Sequence, residues 1–267
     1  MRRSRVTAYV TSFLLATGLA LTGAATAQAS TAVSGGYVAL GDSYSSGVGS
    51  GSYISSSGDC DRSTKAYPYL WNAAHQPSSF AFNACSGAKT GDVLANQLGS
   101  LNSSTGLVSI SVGGNDAGFA DVMTTCVTSS DNTCVAKINT AMSYVDTTLP
   151  GKLDTVYNAI RAKAPSARVV VVGYPRFYML GQTCLGLSET KRSAINDAAD
   201  HMDNAIQKRA LDHGFVFGDV RTTFSGHEIC SGSSWLHSVN LLDLTESYHP
   251  TAAGQSSGYL PVFTNAA

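Results

Sequence analysis

A serine and a histidine, far apart in the chain, lie where backbone turns would expose them. Ser43 follows a short apolar, strand-like run and a glycine, in the order Gly41-Asp42-Ser43, and His249 precedes the last helix-like segment. A serine hydroxyl is a poor nucleophile at neutral pH and needs a base within hydrogen-bond reach. The two residues therefore predict nucleophilic catalysis, with Ser43 as nucleophile and His249 as base.

Five other histidines compete for the role of base. Three lie in or beside helix-like segments, where a surface histidine is the ordinary interpretation: His75, His201 and His213. His227 and His237 lie in a loop region rich in Cys, Ser and Gly and could line a cleft, but no motif marks them. His249 is followed by Pro250 and Thr251, which can begin a helix, so we expect it to point at a strand edge.

Two further blocks supply groups that could stabilise an oxyanion. Ser86-Gly87-Ala88 and Gly113-Gly114-Asn115-Asp116 lie between the serine and the histidine in chain order. Gly87 can donate a backbone N–H from a turn, Asn115 can donate its side-chain amide, and the Ser43 N–H would be a third donor. Turn formation alone explains either glycine-rich block, but not the ordered appearance of all four blocks after predicted strands.

The four blocks resemble those of the SGNH hydrolases, also called the GDSL esterase/lipase family, and most closely its secreted actinobacterial members. The resemblance spans residues 38–254. It implies a flavodoxin-like α/β fold, a three-layer α/β/α sandwich around a mostly parallel sheet of about five strands. It also implies Ser43 as nucleophile, His249 as general base and then acid, and Ser43, Gly87 and Asn115 as oxyanion donors. No cofactor and no metal are expected.

One position departs from the family pattern, which has Asp three residues before the histidine where this chain has Glu246. The imidazole needs an acceptor at its second nitrogen to fix its tautomer and orientation. The Glu246 carboxylate could provide it, or the backbone carbonyl of Ser247 could, leaving a Ser–His dyad. We favour the dyad and expect Glu246 to be dispensable.

Other residues near these blocks have structural interpretations. Asp42 and Asp116 are expected to accept backbone N–H groups rather than to do chemistry. Four aromatic residues near strand ends could line an apolar acyl groove or belong to the core: Tyr44, Tyr53, Phe119 and Phe177.

Strand-like and helix-like stretches alternate along the chain. Apolar runs that stop at Gly or Asn predict strands buried on both faces. They cover residues 37–40, 80–82, 107–112, 168–173 and 215–217. Helical patterns cover residues 92–101, 135–164 (interrupted at Pro150-Gly151) and 188–213. This alternation predicts one domain with a mostly parallel sheet, in which ligands bind beyond the carboxyl ends of the strands.

The first 29 residues are predicted to be a signal peptide, followed by a single domain over residues 30–267. Three arginines precede an apolar run too short to span a membrane comfortably, and Ala27-Gln28-Ala29 is typical of a cleavage site, while Ser30-Thr31-Ala32 leaves room for a cut a few residues later. Without those arginines the 17 Lys and Arg residues fall to 14, against 18 Asp and Glu. This mildly acidic charge argues against nucleic acid as a partner. We expect a secreted, extracellular monomer without a stable membrane anchor.

Six cysteines in a secreted chain predict three disulfides, although six cysteines allow 15 connectivities. We favour sequential pairing: Cys60–Cys85, Cys126–Cys134 and Cys184–Cys230. No Cys-x-x-Cys or His-Glu-x-x-His motif is present, which argues against a metal site.

Together these patterns predict a secreted serine hydrolase that cleaves carboxylic esters. The resemblance favours lipid or fatty-acyl esters, with a lipase, an esterase or a phospholipase among the possibilities. A short-chain or carbohydrate acetyl esterase is an alternative with the same blocks. A secreted binding protein on this scaffold is the non-enzymatic alternative, but it would be expected to have lost one of the four blocks.

Overall fold

The computed structural model describes residues 35–239 and 245–267. These residues belong to one compact unit, Ala32–Ala267. The predicted signal peptide, residues 1–29, lies outside the described residues. All four sequence blocks lie within them.

In the described part of the chain, five parallel strands form one sheet in the order β2-β1-β3-β4-β5. The strands are β1 (Gly36–Gly41), β2 (Phe80–Phe82), β3 (Thr105–Ser111), β4 (Arg168–Val172) and β5 (Val216–Gly218). Four consecutive valines of β4 are at most 2% exposed, as expected for a strand covered on both faces. The predicted parallel sheet of about five strands is confirmed.

In the same residues, helices occupy the connections between the strands, and a last helix follows β5. They are α1 (Ser43–Ser46), α2 (Tyr67–His75), α3 (Thr90–Asp92), α4 (Phe119–Thr128), α5 (Asp131–Thr147), α6 (Leu149–Lys163), α7 (Glu189–Asp212) and α8 (Leu260–Ala266). The predicted helix over residues 188–213 corresponds to α7, whose Ser188 side chain accepts the Lys191 N–H as an N-cap.

Two helix predictions differ in detail from the structure. The stretch predicted as one helix broken at Pro150-Gly151 is two helices that break at Thr148. Pro150 lies in the first turn of α6, where its missing N–H costs nothing. The predicted helix over residues 92–101 is irregular, with a π turn at Val93–Gln97 and a 3-10 turn at Leu98–Ser100.

Helices pack on the sheet as layers. α8 packs against β4, β5 and α2, while α7 packs against β4 and β5 together with α5 and α6. A Cβ added at Gly218 would lie 3.2 Å from Val262 of α8, and one added at Gly173 would lie 2.6 Å from Asp203 of α7. Glycine at these strand ends therefore permits close approach of both helices. This arrangement confirms the predicted three-layer α/β/α fold class.

Strand register places the sequence blocks at one edge of the sheet. Gly41, the last residue of β1, pairs with Ser111, the last residue of β3. Parallel strands end at the same edge, so Ser43 and the segment of Asn115 leave the sheet side by side. β2 pairs with β1 in the same direction and leads into the turn that contains Gly87.

Candidate active site

The turn between β1 and α1 presents Ser43 beyond the sheet. Gly41 has φ +122°, and a Cβ there would lie 2.4 Å from the Ser111 carbonyl oxygen. Only glycine fits this backbone conformation and this close approach. Asp42 then caps α1, because its side chain accepts the Tyr44 N–H at 3.1 Å. Ser43 is consequently the first residue of a short helix at the carboxyl end of β1.

The structure brings Ser43 and His249 into direct contact. The distance from Ser43 Oγ to His249 Nε2 is 2.7 Å. His249 Nδ1 lies 3.1 Å from the Ser247 carbonyl oxygen, which can only accept a hydrogen bond. Nδ1 therefore carries the ring proton, and Nε2 is left to accept the proton of the Ser43 hydroxyl.

Burial keeps the His249 imidazole neutral. Desolvation is the largest effect and lowers the pKa of His249 from 6.5 to about 4. The backbone carbonyls of Ser247, Thr245 and Glu246 act in the opposite direction, because hydrogen bonds to them favour the charged form. The ring is therefore an unprotonated base over the whole neutral pH range.

The Glu246 carboxylate is engaged away from the imidazole. The Tyr53 hydroxyl donates to Glu246 Oε1 at 2.9 Å and accepts the Gly49 N–H at 2.9 Å. Within residues 35–239 and 245–267, both ring nitrogens of His249 have other partners, the Ser247 carbonyl and Ser43. The geometry is that of a Ser–His pair oriented by a backbone carbonyl.

The three expected oxyanion donors line one cavity together with His249. Gly87 has φ +74°, a left-handed conformation that favours glycine. One N–H of the Asn115 side chain donates to the Ala88 carbonyl at 3.1 Å, which fixes the amide and leaves its second N–H for a ligand. Among the described residues, the backbone N–H groups of Ser43 and Gly87 have no hydrogen-bond acceptor.

Both aspartates that flank the site hold the surrounding backbone and side chains. Asp42 accepts hydrogen bonds from Ser111 Oγ at 2.7 Å and from the Tyr174 hydroxyl at 2.6 Å. Burial raises the pKa of Asp42 to about 6, and these hydrogen bonds act against that rise. Asp116 accepts the Thr90 N–H at 2.9 Å and the Thr90 hydroxyl at 2.6 Å. It thereby ties the asparagine block to the chain that follows Gly87.

A cavity of about 520 Å³ opens from Ser43 toward the helices α4, α5 and α7. Its lining is mainly apolar and includes Val122, Met123, Ile138, Met142, Ile195 and Met202. Of the four aromatic residues considered for an acyl groove, Tyr44, Phe119 and Phe177 line this cavity. Tyr53 does not; it is 41% exposed and holds Glu246.

Two buried glutamines support the site, and sequence reasoning missed both. The Gln97 amide accepts the Gly41 N–H at 2.7 Å and donates to the Gly41 carbonyl at 2.9 Å. Gln255 accepts the Tyr67 N–H at 2.9 Å and donates to the Tyr44 carbonyl at 3.0 Å. Both bind backbone far away in the chain, so no local pattern signals them.

In the described part of the chain, the other five histidines have partners other than Ser43. His237 Nε2 is 2.7 Å from the Gly49 carbonyl oxygen. The His227 ring stacks on Trp235 at 3.6 Å between centroids. His201 and His213 pair with Asp146 and Asp154, and His75 stacks on Trp71.

The structure contains three disulfides, and they are the sequential pairs: Cys60–Cys85, Cys126–Cys134 and Cys184–Cys230. The first joins the loop after α1 to the turn that contains Gly87. The residues described hold no cluster of three or more His, Cys, Asp or Glu side chains suited to a metal ion. No helix in this part of the chain is long and apolar enough to cross a membrane.

Comparison with known proteins assigns the family. Residues 39–256 match the family model of the GDSL-like lipase/acylhydrolases. The chain belongs to this family. It is 70% identical to lipase 1 of Streptomyces coelicolor over 100% of both chains. The resemblance stated from the four sequence blocks is therefore confirmed.

Two solved structures of family members are similar over most of this chain. The phospholipase A1 of Streptomyces albidoflavus is 65% identical, has a TM-score of 0.87 and is covered completely by 88% of this chain. The extracellular lipase of Streptomyces rimosus is 62% identical, has a TM-score of 0.85 and is covered completely by 87% of this chain.

Proposed function

We propose that this protein hydrolyses carboxylic esters of lipids through an acyl-enzyme formed on Ser43. The contact of 2.7 Å between Ser43 Oγ and His249 Nε2 carries the proposal, because it pairs a nucleophile with a base. The pair lies at the mouth of a mainly apolar cavity. The chain is an ester hydrolase by family, and its relatives are named lipases and a phospholipase A1.

Acylation begins when His249 Nε2 takes the hydroxyl proton and Ser43 Oγ attacks the ester carbonyl carbon. The carbonyl oxygen becomes an oxyanion, which accepts hydrogen bonds from the Ser43 N–H, the Gly87 N–H and the Asn115 amide. Each such donor typically contributes about 10²–10³ in rate. His249 then gives the proton to the departing alcohol, and the acyl group stays on Ser43.

Deacylation follows the same path with water in place of the alcohol. His249 takes a proton from water as the hydroxide oxygen attacks the acyl carbon, and it returns that proton to Ser43 Oγ as the acid leaves. The Ser247 carbonyl holds Nδ1–H throughout, so the imidazole keeps its orientation in both steps. Glu246 takes no part in this scheme.

The shape of the cavity supports fatty-acyl esters over acetyl esters. A cavity of about 520 Å³ lies within the range of small-molecule sites, about 300–1,000 Å³. Its apolar walls from α4, α5 and α7 would bury an alkyl chain, which gains about 0.8 kcal/mol per buried CH₂. An acetyl or carbohydrate ester would leave most of this surface unused. We therefore place the acyl chain in this cavity.

We also propose that the protein acts outside the cell as a monomer. Disulfides persist in oxidising compartments, and the similar protein from Streptomyces rimosus is described as extracellular. All five residues that act in the scheme come from one chain: Ser43, Gly87, Asn115, Ser247 and His249. No nucleic acid, cofactor or membrane anchor enters the proposal.

Ester hydrolysis by the purified protein, wild type beside Ser43→Ala, tests this function. The substrates would be p-nitrophenyl esters from acetate to palmitate, triolein and phosphatidylcholine. Ser143→Ala, an exposed serine of α5, is the matched control. We expect wild type and Ser143→Ala to be active and Ser43→Ala to be inactive. Wild-type protein that cleaves no ester would favour a binding protein on this scaffold.

A further inference from the structure

The hydroxyl of Tyr174 lies between the nucleophile turn and the oxyanion loop. It donates to Asp42 Oδ2 at 2.6 Å and accepts the Gly114 N–H at 3.3 Å. Asp42 immediately precedes Ser43, and Gly114 immediately precedes Asn115. The Tyr174 hydroxyl thus contacts the residue before Ser43 and the residue before Asn115. In the proposed function, Ser43 and Asn115 act on the same substrate carbonyl.

The body of Tyr174 is held firmly, so this hydroxyl has a defined position. Its backbone N–H donates to the buried Asp203 at 2.8 Å, just after the end of β4. Its ring packs edge-on against Tyr44 at 5.1 Å, and the residue is 6% exposed. A Cβ added at Gly114 would lie 3.5 Å from the Tyr174 hydroxyl, so the loop follows the ring closely.

The direction of the two hydrogen bonds follows from their chemistry. A carboxylate accepts only, so Tyr174 donates its single O–H to Asp42 and uses a lone pair for Gly114. Asp42 also accepts the Tyr44 N–H, which fixes the turn that carries Ser43. The result is a continuous chain of hydrogen bonds from the Gly114 peptide through Tyr174 and Asp42 to the turn of α1.

We propose that Tyr174 is a positioning residue that sets Asn115 relative to Ser43 through this chain of hydrogen bonds. The inference rests on the proposed function, because it concerns the geometry of the same oxyanion site. Preorganised donors act only where they meet the developing charge, and a displacement of about 1 Å can lower a rate about 100-fold. Tyr174 itself supplies no group to the substrate carbonyl.

The test is Tyr174→Phe, which removes the hydroxyl and keeps the ring that lines the cavity. We expect kcat on a p-nitrophenyl ester to fall about 10- to 100-fold, with a much smaller change in KM. Tyr157→Phe is the matched control, since Tyr157 is fully buried in α6 and its hydroxyl has no partner among the described residues. It is expected to keep the wild-type kcat. A wild-type kcat in Tyr174→Phe would overturn the inference.

A double-mutant cycle separates positioning from general destabilisation. If Tyr174 acts through the oxyanion loop, its loss matters less once the Asn115 amide is gone. The effects of Tyr174→Phe and Asn115→Ala on kcat should then deviate from a simple product by more than about twofold, the usual error of additivity. Ser111→Ala, which also removes a donor to Asp42 but has no bond to Gly114, should combine with Asn115→Ala as a simple product. A simple product for Tyr174→Phe would contradict the proposal.

Two outcomes keep this inference distinct from the proposed function. Inactive wild-type protein defeats the function, whereas an active wild type with an unaffected Tyr174→Phe defeats only the positioning role. If Tyr174→Phe does not fold, Asp42→Asn interrupts the same chain of bonds one step further on. Its effect should also be non-additive with Asn115→Ala, and an additive effect would overturn the proposal.

Discussion

Tyr53 and Glu246 are hydrogen-bonded to each other, from the Tyr53 hydroxyl to Glu246 Oε1, at 2.9 Å. This bond directs the carboxylate away from His249, whose Nδ1 is held by the Ser247 carbonyl at 3.1 Å. The acidic residue that replaces the family's aspartate therefore joins two loops at the rim of the site. Orientation of the imidazole is left to the backbone.

Glu246→Gln is expected to lower kcat by less than about tenfold, because the amide can still accept from Tyr53 and the imidazole keeps its partner. Loss of a carboxylate that truly orients a histidine costs about 10⁴ in kcat. Steady-state hydrolysis of a p-nitrophenyl ester by Glu246→Gln and by Tyr53→Phe measures this effect. A loss of about 10⁴ in Glu246→Gln would show that the carboxylate acts on the histidine.

Tyr44→Phe should lower the free energy of unfolding, because Tyr44 joins the segment of Ser43 to the segment of His249. The Tyr44 hydroxyl donates to the Tyr248 carbonyl at 2.8 Å, and Tyr248 has φ +68°, an uncommon conformation for a residue with a side chain. Without this donor a buried carbonyl loses its partner, which costs about 1–3 kcal/mol. Urea unfolding measures the cost against Tyr157→Phe, whose hydroxyl lacks a partner in the described structure. Equal stability of the two variants would mean that the bond does not hold the histidine segment.

Ala141→Phe should shorten the preferred acyl chain. Ala141 belongs to α5 and lines the cavity, so a phenyl ring there would fill space that we assign to the alkyl chain. The ratio of kcat/KM for decanoate over acetate esters should fall about tenfold or more, since one CH₂ in an apolar pocket contributes about 1–3 kcal/mol. Ala136→Phe, on the exposed face of the same helix, is the control. An unchanged ratio in Ala141→Phe would place the acyl chain elsewhere.

The loss of activity in acid that follows from protonation of His249 should occur at an unusually low pH. His249 accepts a proton only when it is neutral, and its pKa is lowered to about 4. A pKa below the ordinary value of 6.5 keeps the base unprotonated between about pH 4 and pH 6.5. We therefore expect the decline of log kcat/KM that belongs to His249 to lie near pH 4 for a neutral ester, since kcat/KM reports the free enzyme.

The titration of Asp42 must be distinguished from that of His249, because burial raises the pKa of Asp42 to about 6. An inflection near pH 6 that disappears in Asp42→Asn belongs to that carboxyl. An inflection near pH 6.5 that persists in Asp42→Asn would contradict a buried, neutral His249.

Residues with strong local signals could be predicted from the sequence. Val169–Val172 form an apolar run typical of a strand covered on both faces, and Gly41 and Gly113 mark where the chain leaves the sheet. Ser188 and His213 bounded α7 correctly, because caps act within one turn of the helix. The four blocks then predicted which residues meet at the sheet edge.

Residues that act through distant backbone could not be predicted. Gln97, Gln255 and Tyr174 each bind main chain or side chains brought near only by folding, and none carries a local motif. The partner of Glu246 could not be predicted either. Its carboxylate accepts a hydrogen bond from Tyr53 rather than from His249, and this depends on how the two loops pack. The sequence placed the helix break at Pro150-Gly151, whereas the structure has it at Thr148. Proline marks the break only approximately, because it also suits the first turn of a helix.

Trapping of the acyl-enzyme tests the central claim most directly. Wild-type protein would be mixed with p-nitrophenyl decanoate, quenched in acid during turnover, digested and analysed by mass spectrometry. The proposed mechanism predicts a decanoyl group on the peptide that contains Ser43, and no such adduct in Ser43→Ala. A decanoyl group on another residue, or full turnover by Ser43→Ala, would contradict it.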